Sequence, residues 1–227
     1  NFSSPNLGLH FNIINPEKTI HEIISKDGNV SDAIVKCNNG IDVLPGAIFF
    51  NKQINPFKLR DKLRAVKKDY DYILIDSSPA LNEETLAAML ASEHLFVVTT
   101  PDIPTLSMTL KAIKIAKQRG TKIDGLILNK VHGKNFELSF DDIEKTAELP
   151  ILASIPHDLN ILKALHFNVP LTIFKPFSKG SVEFKKLAAV LSGKKFRNFS
   201  IKELVSLLTP SRTDVNRELY YHRVFIY

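Results

Sequence analysis

Tyr72-Ile73-Leu74-Ile75-Asp76-Ser77-Ser78-Pro79-Ala80-Leu81 is the stretch on which the fold of this 227-residue chain turns. Four apolar residues closing on an aspartate predict a strand covered on both faces, with a carboxylate at its carboxyl end, where open α/β sheets place their ligand crevice. A carboxylate so placed suits Mg2+, usually held through water, beside nucleotide phosphates. The same residues also make a good turn, since aspartate before Ser-Ser-Pro favours chain reversal. Taken alone, the stretch leaves both readings open.

Working outward, short β-branched runs alternate with longer segments of helical period, the pattern of strands joined by crossover helices in a mostly parallel sheet. Strands are expected over 41–44, 72–76, 95–100, 125–129 and 151–155. Helices are expected near 17–26, 56–68, 83–91, 104–119, 139–147, 159–166 and 181–192. Leu106, Leu110 and Ile113 recur at i, i+4, i+7 while Lys111, Lys114 and Lys117 occupy other faces, so that helix buries one stripe. Ser139 before Asp142 and Ser200 before Glu203 have capping-box spacing, and Gly193 stands where a helix over 181–192 should end.

Composition is that of a globular chain, 44% hydrophobic and 24% charged. The apolar runs fall far short of the ~20 residues that span a bilayer, and no secretion signal opens the chain. The single Cys37 excludes an intrachain disulfide, so the default compartment is reducing and cytoplasmic. Metal ligation by His157 and His166 is not supported: nine residues apart and without partnering cysteines, they read as surface residues. No G-x-S-x-G exists, which removes hydrolytic serine chemistry at Ser77 or Ser78. The net charge is +6. Ser192–Tyr227 carries seven basic residues against three acidic ones, leaving the other 191 residues only two charges in excess. An anionic surface would therefore be met chiefly at the C-terminus.

Further stretches extend the pattern in order and at matching spacing. They are Pro5-Asn6-Leu7-Gly8-Leu9, Val43-Leu44-Pro45-Gly46, Asn82–Met89, Leu95–Thr105, Leu126-Ile127-Leu128-Asn129-Lys130-Val131, Pro150–Asp158 and Phe167-Asn168-Val169-Pro170-Leu171. Together with Tyr72–Leu81, they resemble the MinD/ParA family of deviant Walker ATPases over roughly residues 1–192. That resemblance implies a P-loop NTPase-like three-layer sandwich, a mostly parallel sheet flanked by helices, with ATP/ADP and Mg2+ as cofactors.

Position by position, Asp76 corresponds to the Walker B aspartate that organises Mg2+. Ser77–Leu81 corresponds to switch II, where Pro79 and Ala80 would sense the γ-phosphate through the backbone. This version lacks the glycine of the MinD type, and with it an easy positive-φ position. Asn129 corresponds to the adenine-reading asparagine, whose amide both donates and accepts. Pro156 and Asp158 match the loop beside the adenine, although Asp158 equally suits the cap of a helix starting at Leu159.

The nine glycines form neither G-x-x-x-x-G-K-[ST] nor G-x-G-x-x-G, and the chain opens on Asn1. Against the family, this reads as an absent front β-P-loop-α-β unit. Without its N–H groups and lysines little neutralises a triphosphate, so the 227 residues alone are expected to hydrolyse ATP negligibly while a longer parent is an ATPase. Residues 193–227 read as a basic extension. Ile201, Leu204, Val205 and Leu208 line one apolar face after Lys194, Lys195 and Arg197, which suits either a membrane surface through 194–208 or packing back on the domain. The apolar terminus 220–227 is expected to add an edge strand, dock on a partner or touch lipid.

The resemblance implies an ATP-dependent homodimer that positions a division site or related structure, cycling between a peripheral membrane state and the cytoplasm, with an activator protein. A ParA-like partitioner gripping nonspecific DNA is the near rival, and a non-enzymatic interaction module that keeps the fold is the rival from another class.

Overall fold

The computed structural model describes residues 2–37, 40–194, 196 and 210–226. The chain divides into two compact units, Asn1–Glu93 with Arg119–Thr121, and His94–Gln118 with Lys122–Tyr227.

The first unit is built on helices α1 (Leu7–His10), α2 (Ile20–Lys26), α3 (Leu59–Val66) and α4 (Glu83–Ala91). Strands β1 (Val35–Lys36) and β2 (Asp42–Val43) form an antiparallel ribbon. The strand expected at 41–44 thus belongs to this ribbon and not to the parallel sheet. Ile20, Ile23 and Ile24 of α2 meet Val30, Ala33, Leu59 and Val66 in one apolar core. Glu22 accepts the Thr19 N–H at 3.0 Å and starts α2, and Asn55 accepts the Phe57 N–H at 3.0 Å ahead of α3.

His21 ties three segments of this unit together. Its Nδ1 accepts the Ala47 N–H at 2.9 Å, so its Nε2 carries the proton and donates to the Phe2 carbonyl at 3.0 Å. Burial holds its pKa below the ordinary imidazole value.

The expected strand at 72–76 is not formed. Its residues take no regular secondary structure and join no sheet, and Leu74 is 87% exposed while Ile75 packs on the core. An apolar run encodes a preference for burial, but a strand also needs a ladder partner for its N–H and C=O groups, and the parallel ladders form in the other unit.

In the second unit β3 (Leu95–Thr99), β4 (Ile123–Val131) and β5 (Ile151–Pro156) form a parallel sheet in the order β3-β4-β5. It carries α5 (Ile103–Gln118), α6 (Phe140–Ala147), α7 (Leu159–His166), α8 (Leu171–Phe174), α9 (Lys179–Leu191) and a C-terminal helix, Arg212–Tyr221. One sheet face packs Leu126, Leu128 and Ile151 on Leu106 and Ile113 of α5 and on Ile143 of α6. The other packs Leu152, Ala153 and Ile155 on Leu187 and Val190 of α9 and on Tyr220. These three layers are the α/β architecture that the alternating pattern predicts, in the P-loop NTPase-like form that the resemblance implies.

A register shift opposite Leu126 and Ile127 inserts Leu152 as an extra residue in β5. Side-chain alternation then turns over, so Leu152, Ala153 and Ile155 share one face. Gly125 lies against this bulge: a Cβ there would come 2.7 Å from the Pro150 carbonyl oxygen and 2.8 Å from Leu152 Cγ.

The C-terminal residues 220–226 do not add a strand. Tyr220 ends up buried in the sheet-α9 core, and His222–Ile226 continue the helix as a π turn. Helix wins over strand here because Ser211 and Asp214 make a capping box and Arg217 anchors the helix to β5. Asp124, fully buried, is balanced by His94 Nδ1 at 2.6 Å, Arg223 at 3.3 Å and Lys122 at 3.4 Å. The helix expected after Ser200 lies outside the described residues. No described helix is long and apolar enough to cross a membrane.

Candidate functional site

Three of the six expected site residues lie at or beside the carboxyl ends of β4 and β5, and the loops after β3, β4 and β5 are each fixed by side chains of their own. At the end of β3, Asp102 accepts the Thr105 N–H at 2.9 Å and the Thr100 hydroxyl, starting α5. Those two hydrogen bonds hold its carboxyl below the usual range. Beneath it, Thr109 donates to Thr99 at 2.8 Å, tying helix to strand.

Asn129 stands near the end of β4. Its Oδ1 accepts the Lys130 N–H at 2.9 Å, and Lys130 takes the left-handed region at φ 55°. This small kink coincides with a second register shift between Leu128 and Val131. The amide oxygen retains a second lone pair and the amide nitrogen its donors, which is the chemistry required to read a base edge. On β5 the strand closes at Pro156, and Asp158 caps α7: its Oδ1 accepts the Asn160 N–H at 2.8 Å. The capping role of Asp158 is thus realised in the structure.

Asn129 on β4 and Pro156 at the end of the adjacent parallel β5, with Asp158 two residues beyond it, are linked where the His157 N–H donates to the Val131 carbonyl at 2.8 Å. Asp76, Pro79 and Ala80 belong to the first unit. There Asp76 is exposed, and the turn after it is wound by local bonds. Ala80 N–H donates to Ser78 Oγ at 3.3 Å, the Thr85 hydroxyl donates to the Ser78 carbonyl at 3.1 Å and to that of Ala80, and Asn82 caps α4. No residue from 77 to 82 adopts a positive φ, so the turn closes without the glycine that the family pattern would put there.

Two features went unread in the sequence. Glu137 accepts the N–H groups of His132, Gly133 and Lys134, winding the loop after β4 around one carboxylate. Desolvation raises its pKa, but those three donors outweigh it and leave the group below the ordinary range. Next to it, His132 and His157 stack at 4.5 Å between ring centroids. Gly133 was the available signal, since its φ of 68° marks a tight turn; the stacking itself has none, because the two histidines follow different strands, 25 residues apart in sequence. Among the described residues, no cluster of three or more His, Cys, Asp or Glu side chains could hold a metal.

Comparison with known proteins agrees with this geometry. A family model described as an AAA domain matches residues 6–123. An uncharacterized ATP-binding protein of Methanocaldococcus jannaschii is 32% identical over 84% of this chain and 73% of its own length. The septum site-determining protein MinD of Thermotoga maritima is 26% identical over 82% of this chain and 71% of its own length. Among solved structures, the Pyrococcus furiosus cell division ATPase MinD superposes with a TM-score of 0.77 at 32% identity, covering 83% of this chain and 81% of that one. MinD of Pyrococcus horikoshii, complexed with Mg-ADP, gives 0.78 at 30% identity, covering 84% and 80%. The parallel sheet and the shared sequence lead to one assignment: the chain belongs to the MinD/ParA family of P-loop ATPases.

Proposed function

We propose that residues 1–192 are the nucleotide-binding part of a MinD-type switch that dimerises with ATP and positions a cell-division site or related structure. The observation that carries this is the placement of Asn129, Pro156 and Asp158 at the carboxyl ends of β4 and β5 in a chain 30% identical to a Mg-ADP-bound MinD. Asn129 would read the base edge, and the exposed Asp76 carboxylate would hold Mg2+ through water. ATP supplies the phosphoryl group whose loss ends the dimeric state. The residues present fit the base and the metal, but they include no Gly-rich loop to cradle the triphosphate. Turnover by the 227-residue chain is accordingly expected to be negligible, and activity to require a form of the protein that carries such a loop.

The test compares phosphate release and sedimentation of the two forms with Mg-ATP. In the loop-bearing form, dimer mass appears with ATP, and Asp76→Ala lowers turnover at least a hundredfold. Equal turnover by the 227-residue chain would overturn the reading, and a loop-bearing form with no nucleotide affinity would indicate the interaction-module rival instead.

Surface attachment through 194–208 belongs to the same proposal: two copies in a dimer would double a weak amphipathic anchor. Cutting the chain at Ser192 is a poor test, because it also strips Tyr220 from a buried cluster. Ile201→Gln with Leu208→Gln keeps Tyr220 in the chain. Reduced co-sedimentation of the ATP-loaded dimer with anionic vesicles is expected, and unchanged partitioning would remove the membrane role.

A further inference from the structure

The second unit sets three basic side chains against one acid. Asp124, the second residue of β4, has a fully buried side chain. His94, directly before β3, meets it through Nδ1 at 2.6 Å, and Lys122, directly before β4, through Nζ at 3.4 Å. Arg223, from the C-terminal π turn, meets it through Nη2 at 3.3 Å. Among the described residues, Asp124 is the only carboxylate that any of the three meets.

One cation is enough to balance a buried carboxylate. Lys122 and Arg223 therefore leave a surplus positive charge before any proton on His94 is counted. Acids nearby along the chain do not answer it. Residues 103–123 hold five basic residues and no acidic one, Glu93 pairs with Lys67, and Glu218 pairs with His222.

Asp124 does not use up the three basic groups either, since each keeps between 43% and 54% of its side chain exposed. Arg223 engages Nη2 with the Asp124 carboxylate and carbonyl, which leaves Nε and Nη1 as donors. Lys122 has two further N–H groups. His94 Nδ1 faces an acceptor and donates to it, so Nε2 accepts from an O–H or, once protonated, donates. The buried Tyr220 ring, 5.6 Å from Arg223 Cζ, steadies the guanidinium from behind.

We infer that His94, Lys122 and Arg223 form a binding site for a single phosphate group, as inorganic phosphate or a small monoester. Donors gathered round one point suit a compact anion, and a phosphate monoester carries about 1.5 to 2 negative charges at pH 7 on three acceptor oxygens. Its singly protonated form also offers the P–O–H that a neutral His94 Nε2 accepts. Phosphodiesters of nucleic acids and lipids lack both the second charge and that proton, so they fit less well. This site stands at the amino ends of β3 and β4, whereas Asn129 and Pro156 stand near the carboxyl ends of their strands, and it does not rest on the switch reading.

NMR titration of the intact chain with inorganic phosphate and with glycerol phosphate, at constant ionic strength and pH 7, tests it. Saturable shifts are expected at the amides of Leu95, Asp124 and Arg223. Lys122→Gln leaves Asp124 paired with His94 and Arg223, and should weaken binding by about five- to tenfold. Lys122→Arg should recover most of the affinity, and Lys114→Gln on α5, an equal change of charge at an exposed position, should stay within about twofold. Tighter binding of glycerol phosphate would identify an ester as the ligand, and equal binding the bare phosphate; either result supports the site. The inference falls if the shifts do not saturate, if Lys114→Gln weakens binding as much as Lys122→Gln, or if a phosphodiester such as dimethyl phosphate binds as tightly as the monoester.

Discussion

Neutral His21 is a condition of the first unit's fold, because protonating Nδ1 would destroy its bond with the Ala47 N–H. Its folded pKa lies below the unfolded value near 6.5, so as pH falls the unfolded chain takes up the proton first. Stability is full above about pH 6.5 and declines below it. A urea midpoint that falls from pH 7 to pH 5 is expected, with the decline flattened in His21→Gln; an equal decline in the variant would assign it elsewhere. Gly125 makes a second prediction at this scale. Gly125→Ala drives a methyl into Pro150 and Leu152 and should cost about 1 to 3 kcal/mol by chemical denaturation. The sequence shows Gly125 only as the start of a strand; the need for glycine arises from a bulge in a strand 26 residues further on.

Elements whose signals are local were legible. α4 over Glu83–Ala91 and α7 over Leu159–His166 coincide with their expected spans, because Asn82 and Asp158 cap them from the adjacent residue. The ends of α5 and α9 shift by one or two residues, as fraying ends do. The segment 72–76 failed for the opposite reason, since pairing is a relation between segments that no single run encodes. The positions of Asn129 near the end of β4, of Pro156 at the end of β5 and of Asp158 as a helix cap were legible from local signals, whereas the Glu137 turn offered only Gly133, because its three backbone N–H donors have no residue-type signature.

The C-terminal helix likewise had no readable destination, because its anchors are distant in sequence. Arg217, almost fully buried, donates to Glu183 and to the Leu152 carbonyl at 2.9 Å each, and to Asp214. Asn216 donates to the Ile151 carbonyl at 2.8 Å, so side chains cover part of the edge of β5 where another strand could pair. Arg217→Ala should cost about 3 kcal/mol, since it strands Glu183 and Asp214 as well as the carbonyl. A variant melting like the unaltered chain would show that the helix is not held there.

At the scale of the molecule, the two units carry separate apolar cores and titratable groups that respond to acid in different pH ranges. The first unit depends on a neutral histidine, so acid works against it from about pH 6.5 downward. The second contains Asp214. Desolvation raises its pKa, but hydrogen bonds from Ser211 and Arg217 and the charges of Arg217 and Lys186 outweigh this and bring it down to about 2. A carboxylate with a lowered folded pKa contributes stability above its unfolded value of 3.8, lost only as pH falls toward 2. Asp102 and Glu137 shift in the same direction in the same unit. Mild acid therefore weakens one unit in a range where these groups leave the other untouched, the condition for sub-global opening. Hydrogen exchange followed by mass spectrometry from pH 7 to pH 5, corrected for intrinsic rates, should show protection falling at Ile20, Ile23 and Ile24 while Leu126, Leu128 and Ile151 keep theirs. Parallel loss in both groups would mean that the chain opens only as a whole, with His21 setting the acid limit of the entire molecule.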